Sequence, residues 1–233
     1  RPRGPESARS SSSGSQPPKT FRKLAMYIPA GFQVGDRDTL HTFIEQYSFA
    51  VLITNIDNVP FATHLPLLLD RDRGPFGTLL GHFARPNPHV QAFDKPFDSL
   101  AVFHGPHAYI SPSWYSGKSP AVPTWNYAAV HAYGRAEPIV DDAWTRDLLE
   151  RMVETYEARF ESPWQDNLND ELREKLIRSV VGFELPISRL EGKFKLGQNR
   201  SLEDQEGALA GLERAGSLEL ADFVRRNPPV KSN

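Results

Sequence analysis

The chain has 233 residues, no cysteine and only two methionines. Without thiols there is no disulfide, no thiolate metal site and no cysteine nucleophile. An excess of positive charge is also missing. Lys and Arg number 27 against 29 Asp and Glu, a formal net charge of −2, so no global basic field draws nucleic acid. No apolar run approaches the ~20 residues of a membrane-spanning helix, and no secretory apolar stretch stands near the start. Gly-rich loops with Rossmann or P-loop spacing are absent, which removes the usual dinucleotide and triphosphate cradles. His64, His82, His104, His107 and His131 are present, but no HxH or HExxH spacing organises them for zinc. Ser111 and Ser113 lack a nucleophile-elbow context. These absences lead to the expectation of a soluble cytoplasmic protein with no membrane partner and no bound metal.

The organisation reads in three parts: a tail over 1–20, a main domain over 21–213, and a final helix with its tail over 214–233. The first residues, RPRGPESARSSSSGSQPPK, are rich in Ser, Pro and Arg and have almost nothing to bury, so disorder is expected. Their composition reads as a tag remnant or an incomplete start. It also resembles a transit peptide, although without the amphipathic stripe of one.

Asp36 or Asp38 is placed to cap a helix carrying Leu40, Phe43, Ile44 and Tyr47 at helical spacing. FAVLITNI reads as a buried strand, Asp57-Asn58 as a hairpin turn, and PFATHLPLLLD as a single returning strand. Further strands are expected over 76–83, 99–104 and 127–138. Asp141 or Asp142 then caps a helix with Trp144, Leu148, Met152, Val153 and Tyr156 on one face. Asn169 precedes another helix, with Leu172, Leu176, Ile177 and Val180 repeating. GFELPISRLEG returns as a strand, and helices follow from Ser201 and over LELADFVRR. Strands first and helices later predict a mostly β (α+β) domain, a closed barrel with peripheral helices.

Three stretches carry polar chemistry. In GHFARPNP, Arg85 and Asn87 offer a guanidinium fork and an amide on a proline-stiffened corner, which suits phosphate. A surface arginine in a turn is the plain alternative. In GKFKLGQNRS, Lys193 and Lys195 alternate with Phe194 and Leu196, and Gln198, Asn199 and Arg200 follow. As a strand this puts both lysines on one face, fit either for an anion or for protecting a sheet edge. Between His107 and His131, Tyr109, Trp114, Tyr115 and Trp125 stand beside Ser113 and Asn126. That mix reads as a pocket for a planar ligand with polar edges, or as an aromatic β-core.

The blocks MYIPAGF, YSFAVLIT, ATHLPLLLD, GHFARPNP, AVFHGPHAYISPSWY, VPTWNYAAVHAYG and LEGKFKLGQNRS occur in this order. They resemble the PaiB-like family, labelled FMN-binding negative transcriptional regulators, from about Met26 to about Leu212. The resemblance implies an FMN-binding split β-barrel, pyridoxamine-phosphate-oxidase-like, that forms a homodimer with FMN at the interface. It also implies site residues. The FMN phosphate would fall to Arg85, Asn87, Lys195, Gln198 and Asn199. The ring would lie against Thr63 and His64 and against Trp125, Asn126 and Tyr127, with His82, Ser113 and Trp114 as further candidates. Two departures stand out: Gly197 occupies a place where the family suggests Ser, and Pro86 one where it suggests a small residue. The regulatory label carries with it a DNA contact, but no helix-turn-helix and no basic recognition helix is visible. Two other functions stay open. One is an FMN-dependent oxidoreductase, with His64, His107, His131 or Tyr127 supplying a proton. The other is a haem-binding or haem-degrading barrel, which the histidines permit.

Overall fold

A computed structural model describes residues 25–94, 98–118 and 120–228. The tail expected over 1–20 lies outside the described residues. Helix α1 (Arg37–Gln46) is capped by Asp36, whose carboxylate accepts from Thr39 N–H, and it buries Leu40, Phe43 and Ile44. The short strand β1 (Gln33–Val34) precedes it. Strands β2 (Phe49–Ile56) and β3 (Val59–Pro66) form the expected hairpin. Asp57 and Asn58 sit at its tip with φ of 51° and 65°, as a two-residue type I′ turn requires.

The returning segment is two strands, not one. β3 ends at Pro66, paired with Phe49. Leu67 is buried and donates its N–H to Ser48 O. β4 (Leu68–Asp70) then joins a different neighbour, β5 (Thr78–Ala84). An apolar run shows where a strand can form but not where it changes partner. Strands β6 (Ser99–Ile110), β7 (Thr124–Gly134) and β8 (Glu137–Ile139) follow.

Helix α2 (Asp142–Glu157) starts at Asp141 and α3 (Asp170–Arg178) at Asn169. Their buried faces are narrower than the spacing suggested. Leu148, Met152 and Ile177 are buried, whereas Val153, Leu172 and Leu176 remain exposed. Val180 begins β9 (Val180–Lys195), a strand that runs beyond the expected one and through both lysines. α4 (Leu202–Arg214) is capped by Ser201, and α5 (Leu218–Arg226) completes the described chain.

β9 organises the sheet. Its first half pairs with β5 and β8, and its second half with β7 and β1. Pro186, which has no N–H to donate, stands where the strand leaves β5 for β7. The resulting order, β3-β2-β6-β7-β9-β5-β4, curls around one core. Phe83 stacks on Phe183 at 4.6 Å, and Leu52, Phe103, Ile110 and Leu185 are fully buried beside them. Leu220, Ala221 and Phe223 of α5 bury in that same core. This is the split barrel. No helix among the described residues is long and apolar enough to cross a membrane.

Candidate functional site

The polar chemistry gathers at the two ends of β6. From Ser99 to Tyr109 the strand runs roughly 30 Å, at ~3.3 Å per residue.

At the Ser99 end the groups are neutral and buried or half-buried. Thr63 lies on the barrel side of β3, as its register partner Leu52 does. Its hydroxyl meets His89 Nδ1 at 2.9 Å and accepts from Asn87 Nδ2 at 3.3 Å. Asn87 Oδ1 in turn accepts from His89 N–H. His89 Nε2 meets Thr54 Oγ1 at 2.9 Å, and Thr54 meets Ser99 Oγ at 2.6 Å. Phe83 stacks on the imidazole at 4.8 Å, and Phe61 abuts it edge-on. Burial alone pushes His89 down to about 4, so the ring is neutral at pH 7.

Arg85, on the adjoining corner, donates through Nε and Nη2 to the carbonyls of Arg178 and Val180, both at 2.7 Å. It thereby ties the end of α3 to the start of β9. Nη1 remains without a partner among the described residues.

Two expected companions lie elsewhere. His64 is exposed on the outer face of β3. His82 lies on the face of β5 opposite Gly81 and Phe83, toward α2, because its register partner Gly182 sits against Trp144. Its Nδ1 is buried without a partner, and burial lowers its pKa.

At the Tyr109 end cations stand beside rings that are open to solvent. Tyr109 and Trp125 are register partners, 43% and 54% exposed, with their rings edge to face at 6.2 Å. His107 lies against Trp125. Lys195 Nζ donates to Thr124 Oγ1 and to Trp125 O. Lys193, on the same face of β9, is buried. It donates to Tyr27 O and lies 5.3 Å from the centre of the Tyr127 ring. Arg200 stacks over Tyr115. Among the described residues none of these three cations forms a direct ion pair with a carboxylate, although Asp204 acts on Arg200 from further off. Lys195 is held below the usual lysine range, first by burial and then by repulsion from Lys193 and Arg200. A cation cluster in that condition fits an anion.

The loop after β9 is shaped by its own contacts. Gln198 accepts from Leu196 N–H through Oε1 and donates to Phe194 O through Nε2. Gly197 has φ +92°, a conformation that suits glycine better than the Ser the family suggests. Asn126, 4% exposed, lies beneath this turn. Asn199 is exposed. Ser113 is exposed and pairs with the Ser111 hydroxyl. Trp114 packs on α4, where a Cβ at Gly211 would come within 2.2 Å of the indole.

The structure thus brings Thr63 and Asn87 together, with Arg85 on the same corner but turned to the Arg178 and Val180 carbonyls, and it brings Trp125, Asn126, Tyr127, Lys195 and Gln198 together, but at opposite ends of one strand. His89, Thr54 and Ser99 escaped sequence reasoning. Their only signal is that lone polar residues interrupt apolar strands beside the Asn87-Pro88 corner. No group of three or more potential metal ligands forms among the described residues.

Residues 26–189 match the family described as "Putative FMN-binding domain". The chain is 38% identical over 204 residues to the protease synthase and sporulation protein PAI 2 of Bacillus subtilis, across 85% of this chain and 96% of that one. An uncharacterised protein of Aspergillus fumigatus is 30% identical, across 88% of this chain and 99% of that one. Two solved structures share the fold. The flavocytochrome Anf3 of Azotobacter vinelandii has a TM-score of 0.54 at 18% identity, covering 71% of this chain and 70% of that one. An FAD- and haem-binding protein of Mycobacterium smegmatis has a TM-score of 0.55 at 15% identity, covering 76% and 79%.

Proposed function

Because the chain belongs to the FMN-binding domain family, with FMN as its cofactor, we propose that it is a dimeric flavoprotein whose regulatory output follows the state of its flavin. The name of its Bacillus relative ties that protein to protease synthesis and sporulation, and this supports a regulatory role here. When bound, FMN supplies hydride or single-electron chemistry. The chain's own residues hold it and shield it.

The observation that carries the reading is the unpaired cation cluster of Lys193, Lys195 and Arg200 beside the open rings of Tyr109 and Trp125. Positive charge next to a flat apolar platform is what a phosphorylated planar molecule requires. On the other end, Thr63, Asn87 and the free Nη1 of Arg85 add donors. We assign the two ends to one site shared between protomers, with one end given by each. The outer face of the sheet supports such a pairing. Val51, Ile53, Leu100, Val102, His131 and Tyr133 line it and are only half-buried, and Phe49 at its rim is 66% exposed. An apolar face of this kind is the natural seam of a two-fold dimer.

Regulation through direct base reading finds little support. Arg225 and Arg226, the cations closing α5, are engaged by Glu213 and Asp222. Output through a protein partner or through flavin redox state fits better. The oxidoreductase reading draws on the same open platform, which leaves room for a second planar molecule to stack.

The test is the visible absorption spectrum of the purified protein, with the released chromophore identified by mass. Flavin bands and the mass of FMN are expected. A haem band, or a colourless protein that refuses added FMN, would overturn the reading.

A further inference from the structure

We propose that His89 is a positioning residue for FMN: as its Nδ1–H tautomer it donates to Thr63 and so leaves the Thr63 hydroxyl hydrogen free to bond an oxygen of the cofactor. This rests on the FMN reading above and adds to it a residue that touches no ligand itself.

Donor counting supports this tautomer. A neutral imidazole has one N–H and one acceptor nitrogen, and a hydroxyl has one hydrogen. Four buried or half-buried groups form the chain Ser99–Thr54–His89–Thr63, and the hydrogens have only two consistent directions. In one, Thr63 gives its hydrogen to His89, His89 gives its own to Thr54, and Thr54 gives its own to Ser99. The Ser99 hydrogen then has no acceptor, because Thr54 is the only side-chain partner of Ser99 among the described residues and Ser99 is 2% exposed. A buried donor left unmade costs about 1–3 kcal/mol. In the other direction Ser99 donates to Thr54, Thr54 to His89 Nε2, and His89 Nδ1–H to Thr63.

Every buried hydrogen in that second arrangement has an acceptor. Thr63 Oγ1 then accepts twice, from His89 and from Asn87 Nδ2. Its own hydrogen is the only one in the chain left over, at its half-buried end beside Asn87. The stack on Phe83 at 4.8 Å and the edge of Phe61 fix the ring plane, and burial keeps the ring neutral. The network thus delivers one oriented donor to one end of the proposed site.

The test is FMN affinity, read by quenching of flavin fluorescence, together with thermal midpoints for each variant. Thr63→Val and His89→Phe should each weaken FMN binding about tenfold, and the double variant no more than about twofold beyond either single one. His89→Asn, which keeps an amide near the Nδ1 position, should recover most of the affinity even if its midpoint falls as far as that of His89→Phe. Losses that multiply to about a hundredfold, or a His89→Phe protein with wild-type affinity, would overturn the proposal while FMN binding itself stood. A wild-type chain that takes up no FMN would remove the underlying reading, and the proposal with it.

Discussion

The two ends of β6 meet a ligand by opposite means. At the Ser99 end, Thr63, His89, Thr54 and Ser99 are uncharged, and almost every donor has an acceptor within the protein. At the Tyr109 end, Lys193, Lys195 and Arg200 stand close together with no direct ion pair to a carboxylate among the described residues, only Asp204 acting on Arg200 from further off, beside rings open to solvent. The first end is ordered in advance and offers one aimed hydrogen bond. The second keeps its charge unneutralised until an anion arrives. Pre-organisation lowers the cost of binding, and charge raises its strength. A site shared between protomers would combine the two.

The largest effect that separates the ends is pH. His89 sits at about 4 in the folded chain against an ordinary value near 6.5. The folded state therefore binds fewer protons than the unfolded one between those values. Its stabilising contribution is full above pH 6.5 and is lost as pH falls toward 4, about 3 kcal/mol in all. Urea unfolding at pH 7 and at pH 4.5 should show most of that drop, and His89→Phe should flatten it. An equally steep drop in the variant would place the acid sensitivity elsewhere.

Lys195→Ala acts on the other end. FMN retention should weaken at least tenfold, about 1.4 kcal/mol, while the thermal midpoint changes little, because relief of burial and of repulsion with Lys193 and Arg200 offsets the lost bonds to Thr124 and Trp125. Unchanged affinity would remove the phosphate from this cluster.

Arg85→Ala asks whether one residue serves both as clamp and as ligand contact. Loss of its bonds to the Arg178 and Val180 carbonyls should cost about 1 kcal/mol of stability, read by urea midpoint. A separate tenfold loss of FMN would show that the free Nη1 also binds. The smallest effect belongs to Gly197→Ser, which restores the hydroxyl the family suggests but forces a side chain onto φ +92°. A loss of up to about 1 kcal/mol is expected, with FMN affinity little changed.

Local chemistry was legible in the sequence. Asn169 and Ser201 cap the helices they were expected to start, and of the paired candidates Asp36 or Asp38 and Asp141 or Asp142 the first of each is the cap. β2 spans Phe49–Ile56 as read, and Asp57-Asn58 turns it. Choices made by distant partners were not legible. β4 parts from β3 because Leu68 pairs with Leu80 and not with β2. β9 runs on through Lys195 because β7 and β1 continue beside it. The same limit governs the site. Thr63, Asn87 and Lys195 could be named from their blocks, but their separation along β6 depends on register. His89 was hidden because its partners Thr54 and Thr63 come from strands 35 and 26 residues away in sequence, in no periodic relation to it.

The shared site can be tested by mixing two damaged proteins. Asn87→Ala spoils one end and Lys195→Ala the other. Each homodimer should bind FMN weakly. After subunit exchange, half of the dimers are mixed, and each mixed dimer holds one intact site, so about a quarter of all sites should regain wild-type affinity. Recovery of that size in an FMN titration is the result this account predicts. Mixed dimers that form and recover no tight FMN binding would contradict it.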